Sequence, residues 1–439
     1  MVKLTGTFSK LQKAHILVIG DFMLDRYTYG EINRISPEAP VSILKVIDQD
    51  FKPGGAGNVA LNLLSLGSDV TLIGRIGKDD DGAVLKKLLK DKGANVDYLV
   101  TQKDYKTSVK NRFIAESQQL LRVDFEKLLD ISKSLEDEIL EILPSLLKTV
   151  KVVAISDYGK GFLSKKLIKT IIKKAKEKDI PTIIDPKGSD FKKYKSATIL
   201  KPNLKEAYVA ANLQESEPLD KAAQLLLKKT KVDHLLITRS KDGISLFSKN
   251  ERQDFKARSK EVKDVTGAGD TVLAMLCICI ANNLSLDNSC ALCNIAASIA
   301  IEHIGCAQIN LSDFAKRLLE YDVGNKIFDF SHLFALKKVI ENKKVSLLCL
   351  KNSNSLNPSI FQAIKKLSKI KNDVIIYILD QNPNDHFVDL LASLNEIGFI
   401  ILHNKNLKNL STEIKPFNIY LMKDEKLQKL DNMSKIEEI

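Results

Sequence analysis

The stretch Asp264-Val-Thr-Gly-Ala-Gly-Asp270-Thr places a glycine turn, successive backbone N–H donors and a carboxylate in one short segment. The apolar run from Val272 to Ile280 that follows it predicts a loop entering a helix. A glycine-preceded helix N-terminus binds anions, because unpaired N–H groups and the positive end of the helix dipole face one point. We therefore expect phosphoryl transfer here, with Asp270 taking the proton from an attacking hydroxyl. Taken alone, the segment also fits an Asp or Thr cap on a core helix.

Strand-like and helix-like segments alternate on the N-terminal side of this stretch. Strands are predicted at His15–Ile19, Val70–Ile73, Val152–Ile155, Thr182–Ile184 and His234–Thr238, and helices at 58–66 and 163–178. This alternation predicts parallel βαβ units in a covered sheet, with ligands at the carboxyl ends of the strands. Segments of about 26–50 and 105–125 are strand-rich without helices, which predicts a small β lid over the sheet.

The first α/β pattern closes near Ile309, and a helical segment at 311–321 leads to the linker candidate Val323-Gly-Asn-Lys. A second, smaller alternation follows. Helices are predicted at 331–342, 358–369 and 386–397, and strands at 345–350, 374–379, 398–402 and 418–422. We therefore predict two α/β domains, at residues 1–322 and 323–439.

Composition excludes several classes of protein. The 439 residues carry 67 basic and 55 acidic side chains, a net charge of +12, but lysines spread along helical faces without interleaved aromatics indicate a solubilising surface. The six cysteines lie mostly in apolar helical context, which indicates reduced thiols, and Cys290-Ala-Leu-Cys293 lacks a second pair to complete a zinc site. The N-terminus lacks a signal-peptide pattern, and the apolar run at 271–281 is too short to cross a bilayer. We expect a cytoplasmic protein with no nucleic-acid or membrane partner.

Two polar clusters lie near the N-terminus. Pro53-Gly-Gly-Ala-Gly-Asn58 precedes a predicted helix, where Asn58 can bond hydroxyl groups and Gly54 and Gly55 let a ligand approach the backbone. The alternative is a tight turn before a helix. Asp21 follows the first strand and can accept hydrogen bonds from sugar hydroxyls, or alternatively cap a loop.

Further strand ends carry acids paired with lysines. Asp157 with Lys160, and Asp185 with Lys187, each follow a strand, and a lysine there can screen phosphate charge. Asn203 and Glu206 share one helical face and are expected to hold Mg²⁺ through water beside nucleotide phosphates. The sequence contains neither the Walker GxxxxGK(S/T) nor the Rossmann GxGxxG pattern, which disfavours a P-loop kinase and a dehydrogenase. The six scattered histidines give no support to a catalytic triad.

The chain resembles the ribokinase-like (pfkB-type) sugar kinases over residues 10–320. The resemblance is carried, in order, by GDFMLDRYTYG, RISPEAPV, PGGAGNVALNL, SQQLLRVDFE, SDYGKGFL, IDPKGSDF, KPNLKEA, ITRSKDG and DVTGAGDT. Within that family it is most similar to the heptose-7-phosphate kinase module of the bifunctional enzymes that make ADP-heptose for lipopolysaccharide. The resemblance implies a doubly wound α/β sheet with a β lid, and transfer of the ATP γ-phosphate to O1 of D-glycero-D-manno-heptose 7-phosphate.

The resemblance also implies roles for individual residues. Asp270 is the expected base, and the backbone of Gly267, Ala268 and Gly269 the anion hole. The nucleotide and Mg²⁺ are expected along Asn203, Leu204, Lys205 and Glu206, with Glu206 as the metal residue and adenosine at Thr238, Ser240, Gly243 and Asn294. The sugar phosphate is expected at Asp21, Gly54, Gly55, Asn58, Arg112, Gln118, Lys160, Asp185 and Lys187. ATP, Mg²⁺ and a monovalent cation are the implied cofactors, and a homodimer is the implied assembly.

Two departures from the family pattern stand out. Glu116 and Ser117 precede Gln118-Gln119, where relatives commonly carry a basic residue and then Asn or His, so another sugar or a nucleoside stays open as the substrate. In the C-terminal part, bifunctional relatives carry a Rossmann-like nucleotidyltransferase with an FDxxHxGH signature, but here that position reads Lys351-Asn-Ser-Asn-Ser-Leu-Asn-Pro-Ser. We expect a degenerate, non-catalytic domain and a separate nucleotidyltransferase as partner. Phe328-Asp-Phe-Ser-His332 echoes the signature but precedes the strand. A non-catalytic scaffold is the remaining alternative for the whole chain.

Overall fold

The structure is a computed structural model that describes residues 11–430 apart from short gaps. The gaps are 117, 250, 258–261, 304, 307, 312, 315–316, 319–325, 329–332, 341–342, 352–354, 371–372, 381–382 and 403–406. The chain divides into two compact units, an N-terminal unit at Leu11–Asn310 and a C-terminal unit that begins at Leu311. The predicted boundary at 322/323, most of the linker, Ser117 and residues 329–332 lie outside the described residues.

A nine-stranded sheet forms the centre of the N-terminal unit, in the order β13-β12-β11-β10-β9-β8-β1-β4-β5. The strands are β1 His15–Gly20, β4 Asp69–Ile76, β5 Asn95–Thr101, β8 Val152–Ser156, β9 Thr182–Asp185, β10 Ile199–Leu200, β11 His234–Thr238, β12 Ile244–Phe247 and β13 Arg252–Phe255. The neighbouring strands β5, β4, β1, β8, β9, β10 and β11 pair in parallel, and β12 and β13 add an antiparallel edge. Strand β1 is apolar and buried on both faces, as expected when helices cover the sheet. All five strands predicted for this part are confirmed.

Helices lie between and after these strands. They are α1 Ala56–Ser65, α2 Asp80–Asp91, α3 Lys133–Leu146, α4 Lys165–Lys176, α5 Leu204–Ala211, α6 Leu219–Thr230, α7 Ala268–Ala281 and α8 Leu286–Ala300. Helix α4 shows why such segments fold: Ser164 caps its N-terminus, and Leu167, Ile168 and Ile171 recur at helical spacing and are fully buried. Helix α7 is apolar and buried on nearly every face, so its N-terminus is held rigidly in the core.

The predicted lid is a separate four-stranded sheet of order β3-β2-β6-β7. Its strands are β2 Phe22–Ile35, β3 Ser42–Gly55, β6 Ser108–Ala115 and β7 Gln118–Phe125, which cover most of both segments predicted to be strand-rich. Strands β2 and β3 form a long antiparallel hairpin, and β6 pairs with β2 in parallel. Strand β3 runs directly into α1, so Gly54 and Gly55 lie where the β lid joins the main sheet.

The C-terminal unit contains a six-stranded sheet of order β14-β17-β16-β15-β18-β19. Its strands are β14 Ile327–Phe328, β15 Val345–Leu350, β16 Asp373–Ile378, β17 Ile397–Leu402, β18 Asn418–Lys423 and β19 Lys426–Lys429, and its helices are α9 Leu333–Ile340, α10 Pro358–Ser368, α11 Asp385–Ser393 and α12 Leu407–Ile414. The helix predicted at 386–397 ends early, because Leu394 is extended and β17 begins at Ile397. Helix α12 and strand β19 were not predicted. Within the part of the chain that the structure describes, no helix has the length and apolar character needed to cross a membrane.

Candidate active site

The N-terminus of α7 is shaped by Gly267, whose backbone has φ 78. An L side chain is strained there, and a Cβ would lie 2.7 Å from Asn58 Nδ2, so only glycine fits this turn. Asp264 fixes the preceding loop: Oδ1 accepts the Thr266 N–H at 2.9 Å, and Oδ2 accepts the Gly305 N–H at 2.8 Å. No side chain caps α7 at Gly267. The Ala268 N–H donates to the Val265 carbonyl at 3.3 Å, and the N–H groups of Gly269 and Asp270, without a side-chain cap, can bind an anion.

The Asp270 carboxylate lies in the first turn of α7 and is buried. Its Oδ2 accepts a hydrogen bond from Asn58 Nδ2 at 2.8 Å, and its Oδ1 accepts one from the Tyr158 hydroxyl at 2.8 Å. Burial raises the pKa of Asp270 to about 7, with a further contribution from the charge of Asp185, while the hydrogen bonds and Lys201 act in the opposite direction. A carboxyl group with a pKa near neutrality is suited to general-base catalysis.

A cavity of about 720 Å³ opens beside Asp270. Its lining includes all the predicted catalytic residues and most of the predicted nucleotide residues, namely Gly267, Ala268, Gly269, Asp270, Asn203, Leu204, Glu206, Thr238, Ser240, Gly243 and Asn294, together with Asp185 and Lys187. Lys205 is exposed on α5 and is not part of the lining. Apolar side chains of Ile244, Val265 and Ile301 line the same cavity. A cavity of this size with apolar walls and one charged end suits a nucleotide.

Two lysines supply positive charge at the polar end of the cavity. Lys201 is buried, and its Nζ lies 3.0 Å from Asp185 Oδ2. A Cβ at Gly269 would lie 3.7 Å from Lys201 Nζ, so this lysine faces the first turn of α7 across a small gap. Lys187 contacts Glu206 Oε1 at 2.8 Å. Lysine charge beside a helix N-terminus is the arrangement that stabilises phosphate groups.

Glu206, the predicted metal residue, forms hydrogen bonds with the protein. Its Oε2 accepts the Asn203 N–H at 3.0 Å and Asn203 Oδ1 accepts the Glu206 N–H at 2.8 Å, so the pair forms a capping box on α5. Both Glu206 oxygens thus have protein partners. Among the described residues, no group of three or more His, Cys, Asp or Glu could hold a metal ion. The residues fit a divalent cation only if phosphates and water provide most of its ligands, as Mg²⁺ prefers.

The residues predicted to bind the sugar have mixed placements. Asn58 contacts Asp270, as described above. Asp21 is buried, and its Oδ2 accepts the N–H groups of Tyr158 at 2.9 Å and Lys160 at 3.2 Å. Burial, and then the charge of Asp157, raises the pKa of Asp21. Gly55 has φ 58, and a Cβ there would lie 2.6 Å from the Asp21 carbonyl oxygen, which requires glycine. At Gly54 a Cβ would meet Asp25 Oδ2 at 2.2 Å.

The predicted sugar residues on and near the β lid do not line the cavity. Arg112 forms an ion pair with Asp25 at 2.5 Å, and its guanidinium lies 5.2 Å from the Tyr27 ring centroid. Lys160 Nζ pairs with Glu126. Gln118 is exposed at the start of β7, opposite Ala115. The structure therefore places Arg112 against Asp25 and Tyr27 of β2, and leaves Gln118 exposed beside the turn between β6 and β7.

Two side chains next to Asp270 were missing from the predicted site. Tyr158 donates its hydroxyl to Asp270, and Lys201 faces α7 from the end of β10. Both lie within two residues of the end of a buried parallel strand, and both fall in segments whose acids or amides were noted for that reason. A position just after a parallel strand predicts a side chain near the ligand site, and this rule could have identified Tyr158 and Lys201 as well.

Comparisons with known proteins identify the family of the chain. The profile of the pfkB family of carbohydrate kinases matches residues 13–313. The chain is 40% identical over 381 residues to the bifunctional protein HldE of Campylobacter jejuni subsp. jejuni, covering 86% of this chain and 79% of that protein. It is 35% identical over 428 residues to the bifunctional protein HldE of Campylobacter fetus, covering 92% and 90%.

Solved structures share the fold. Phosphofructokinase-2 from Escherichia coli, in complex with potassium, matches with a TM-score of 0.59 at 21% identity over 70% of this chain and 98% of that one. Ribokinase of Arabidopsis thaliana, complexed with ribose and ATP, matches with a TM-score of 0.56 at 20% identity over 70% and 99%. The doubly wound sheet with its small β lid is thus a ribokinase-like fold.

Proposed function

We propose, from the premise that this chain belongs to the pfkB family of carbohydrate kinases, that its acceptor is D-glycero-D-manno-heptose 7-phosphate. The chain is an ATP-dependent sugar kinase. The proposed reaction phosphorylates O1 to give heptose 1,7-bisphosphate, a step toward ADP-heptose and the lipopolysaccharide core. The choice of heptose rests on the similarity to the HldE proteins and on the motifs that run from Gly20 to Thr271.

The observation that carries the mechanism is the Asp270 carboxylate, held by Asn58 and Tyr158 at the N-terminus of α7. In the proposed step Asp270 removes the proton from the sugar O1 hydroxyl, and O1 attacks the γ-phosphorus of ATP. The bond between that phosphorus and the β–γ bridging oxygen breaks, and ADP leaves. The N–H groups of Gly267, Gly269 and Asp270 are proposed to stabilise the negative charge on the transferring phosphoryl group, while the Ala268 N–H is bonded to the Val265 carbonyl.

The remaining polar residues serve the nucleotide. Lys201 and Lys187 offset phosphate charge, while Asn203, Glu206, Thr238 and Asn294 border the cavity where ATP is proposed to bind. When bound, Mg²⁺ would neutralise charge on the β- and γ-phosphates, and Glu206 is proposed to contact it through water. A monovalent cation is the other cofactor that the family resemblance implies, and we assign no residue to it.

The C-terminal unit is proposed to be a nucleotidyltransferase-like domain without catalysis. It keeps an apolar core around Leu348, Ile364 and Ile376, which supports retention of the fold. The position of the HxGH signature instead leads into Asn357-Pro358 at the start of α10. A separate nucleotidyltransferase would then complete the pathway.

A homodimer is proposed through the β lid. Exposed apolar side chains on that sheet support it, namely Ile35, Val46, Ile47, Leu120, Leu121 and Phe125.

The acceptor is tested by ADP release from the full chain with heptose 7-phosphate, fructose 6-phosphate, ribose and adenosine, each beside an Asp270→Asn control. We expect turnover with the heptose to exceed that with the other three by at least about tenfold. Preference for another acceptor would support a second candidate, a kinase for a different sugar, which Glu116 at the exposed turn between β6 and β7 favours. No ADP release with any acceptor would instead favour a non-catalytic scaffold.

A further inference from the structure

The Tyr158 hydroxyl is one of two side-chain donors that hold the proposed base. It donates to Asp270 Oδ1 at 2.8 Å, while Asn58 Nδ2 donates to Oδ2 at 2.8 Å. We propose that Tyr158 is a positioning residue for phosphoryl transfer, which fixes the orientation of the Asp270 carboxylate and keeps it ionised. This inference rests on the proposed role of Asp270 as the base.

The two donors restrict how Asp270 can present itself to an acceptor. An ionised carboxylate has about four lone-pair positions, two on each oxygen. Tyr158 and Asn58 each take one, on different oxygens, so the carboxylate cannot rotate without losing a hydrogen bond. The remaining lone pairs then have fixed directions. An acceptor hydroxyl meets a pre-oriented base, which lowers the entropic cost of the reactive geometry.

The backbone of Tyr158 is anchored at the end of β1. Its N–H donates to Asp21 Oδ2 at 2.9 Å, and the Lys160 N–H donates to the same oxygen at 3.2 Å. The aromatic ring rests beside Gly55, where a Cβ would lie 3.4 Å from Tyr158 Cε2. Asp21, predicted as a sugar ligand, therefore also holds the turn that aims Tyr158 at Asp270.

Arg75 holds the same turn from the opposite side. Its guanidinium is buried and donates to the carbonyl oxygens of Lys160, at 2.6 Å, and Leu129. It also donates to Gln102 Oε1 at 2.9 Å. The turn after Tyr158 is thus fixed both through its N–H groups and through a carbonyl, and the hydroxyl has little freedom to leave Asp270.

The charges around Asp270 act in opposite directions, so the hydrogen bond from Tyr158 affects how readily the carboxyl group ionises. Asp185 disfavours the ionised form, Lys201 favours it, and the Cys306 thiol also lies close enough to interact with the carboxylate. Burial, followed by the charge of Asp270, raises the pKa of Tyr158 well above its ordinary value, so this hydroxyl stays protonated and remains a donor. Removal of a donor to a charged group raises the pKa of that carboxyl.

The direct test is the titration of Asp270 in the full chain labelled with ¹³C at aspartate carboxyl carbons. The Asp270 resonance is assigned by its loss in Asp270→Asn. In Tyr158→Phe we expect the pKa of Asp270 to rise by about one unit or more, as for a lost hydrogen bond to a charged group. Tyr208→Phe is the matched control, because its hydroxyl donates to the Glu217 carbonyl at 2.7 Å and does not line the cavity. That variant should leave the titration unchanged.

A kinetic readout separates positioning from a general structural role. With heptose 7-phosphate, Tyr158→Phe should shift the acid limb of kcat/KM to higher pH and reduce the rate at pH 7 by about tenfold, with partial recovery near pH 9. A structural defect would lower the rate at every pH. An unchanged Asp270 titration in Tyr158→Phe overturns the inference, whatever the acceptor. Absence of heptose phosphorylation by the wild type overturns the proposed substrate but not the titration result.

Discussion

The two units of this chain begin comparable helices in opposite ways. In the N-terminal unit α7 begins after Gly267 with no side-chain cap, and its first turn borders a cavity that Lys201 also lines. In the C-terminal unit α10 follows the central strand β15, and Asn357 Oδ1 accepts the Ile360 N–H at 2.8 Å. One helix N-terminus is left open for a ligand, and the other is filled by its own sequence.

Their sheets, by contrast, follow the same physical rule. Both units contain parallel strands of buried aliphatic residues covered by amphipathic helices. At the strand ends the N-terminal unit adds Asp21, Asp157, Asp185 and Lys201, of which Asp185 and Lys201 act on the charge of Asp270. The comparison teaches that apolar periodicity maintains a fold of this kind, whereas chemistry depends on a few side chains after the strands and one open helix N-terminus.

The largest expected effect comes from Asp270→Asn, which should lower kcat by about 10²-fold or more while the protein stays folded, because the base is lost. The asparagine amide that this substitution introduces can accept from Asn58 and donate to the Tyr158 oxygen, so the local contacts survive. Asp287→Asn is the matched control, since Asp287 is an exposed acid in the first turn of α8. Near-normal turnover of Asp270→Asn, measured as ADP release, would remove this residue from the mechanism.

Two glycine substitutions test whether the turn before α7 is needed for catalysis. Gly267→Ala should lower kcat/KM roughly tenfold or more and destabilise the protein by about 1–3 kcal/mol, because φ is 78 and the new Cβ meets Asn58 Nδ2 at 2.7 Å. Gly93→Ala shares the positive φ, 95, but has nothing within 4 Å. Gly93→Ala should therefore lose stability through backbone strain alone and keep normal kinase kinetics. Equal kinetic losses in both variants, measured beside thermal unfolding, would contradict a role for the Gly267 turn.

The buried Asp270 carboxylate also lowers the free energy of unfolding, by an amount that depends on pH. Its pKa is raised from 3.8 to about 7 by burial, so the folded state binds this proton more tightly than the unfolded state. The contribution of Asp270 to the free energy of unfolding should therefore fall as pH rises from about 4 to 7. Asp270→Asn should be more stable than the wild type at pH 8, by on the order of 2–4 kcal/mol, and equal to it near pH 4. Denaturant titrations at the two pH values measure this, and a pH-independent difference would refute it.

The smallest expected effect comes from a pair of Asn caps. Asn203→Ala and Asn357→Ala each remove one side-chain cap, which costs about 1 kcal/mol of stability. Only Asn203 borders the cavity. Asn203→Ala should raise KM for ATP several-fold, whereas Asn357→Ala should leave kinase kinetics within twofold. A loss of kinase activity in Asn357→Ala would show that the C-terminal unit contributes to the reaction.

Sequence patterns were sufficient for the main alternation of strands and helices and for the helix start at Gly267, because strand alternation and the Gly267-Ala-Gly-Asp270 order are local signals. They were insufficient for contacts between distant segments. Tyr158 meets Asp270 across 112 positions, and no local rule pairs them. Lys205 was assigned to the nucleotide along with its neighbours, but its side chain points to solvent from α5. Helix α12 was missed although Leu407, Leu410 and Ile414 have helical spacing.

The most direct test of the account is a crystal structure of the full chain with a non-hydrolysable ATP analogue and heptose 7-phosphate. We predict the terminal phosphate within hydrogen-bond distance of the Gly269 and Asp270 N–H groups, and the sugar O1 between that phosphate and the Asp270 carboxylate. A terminal phosphate bound away from residues 264–270 would contradict the central claim.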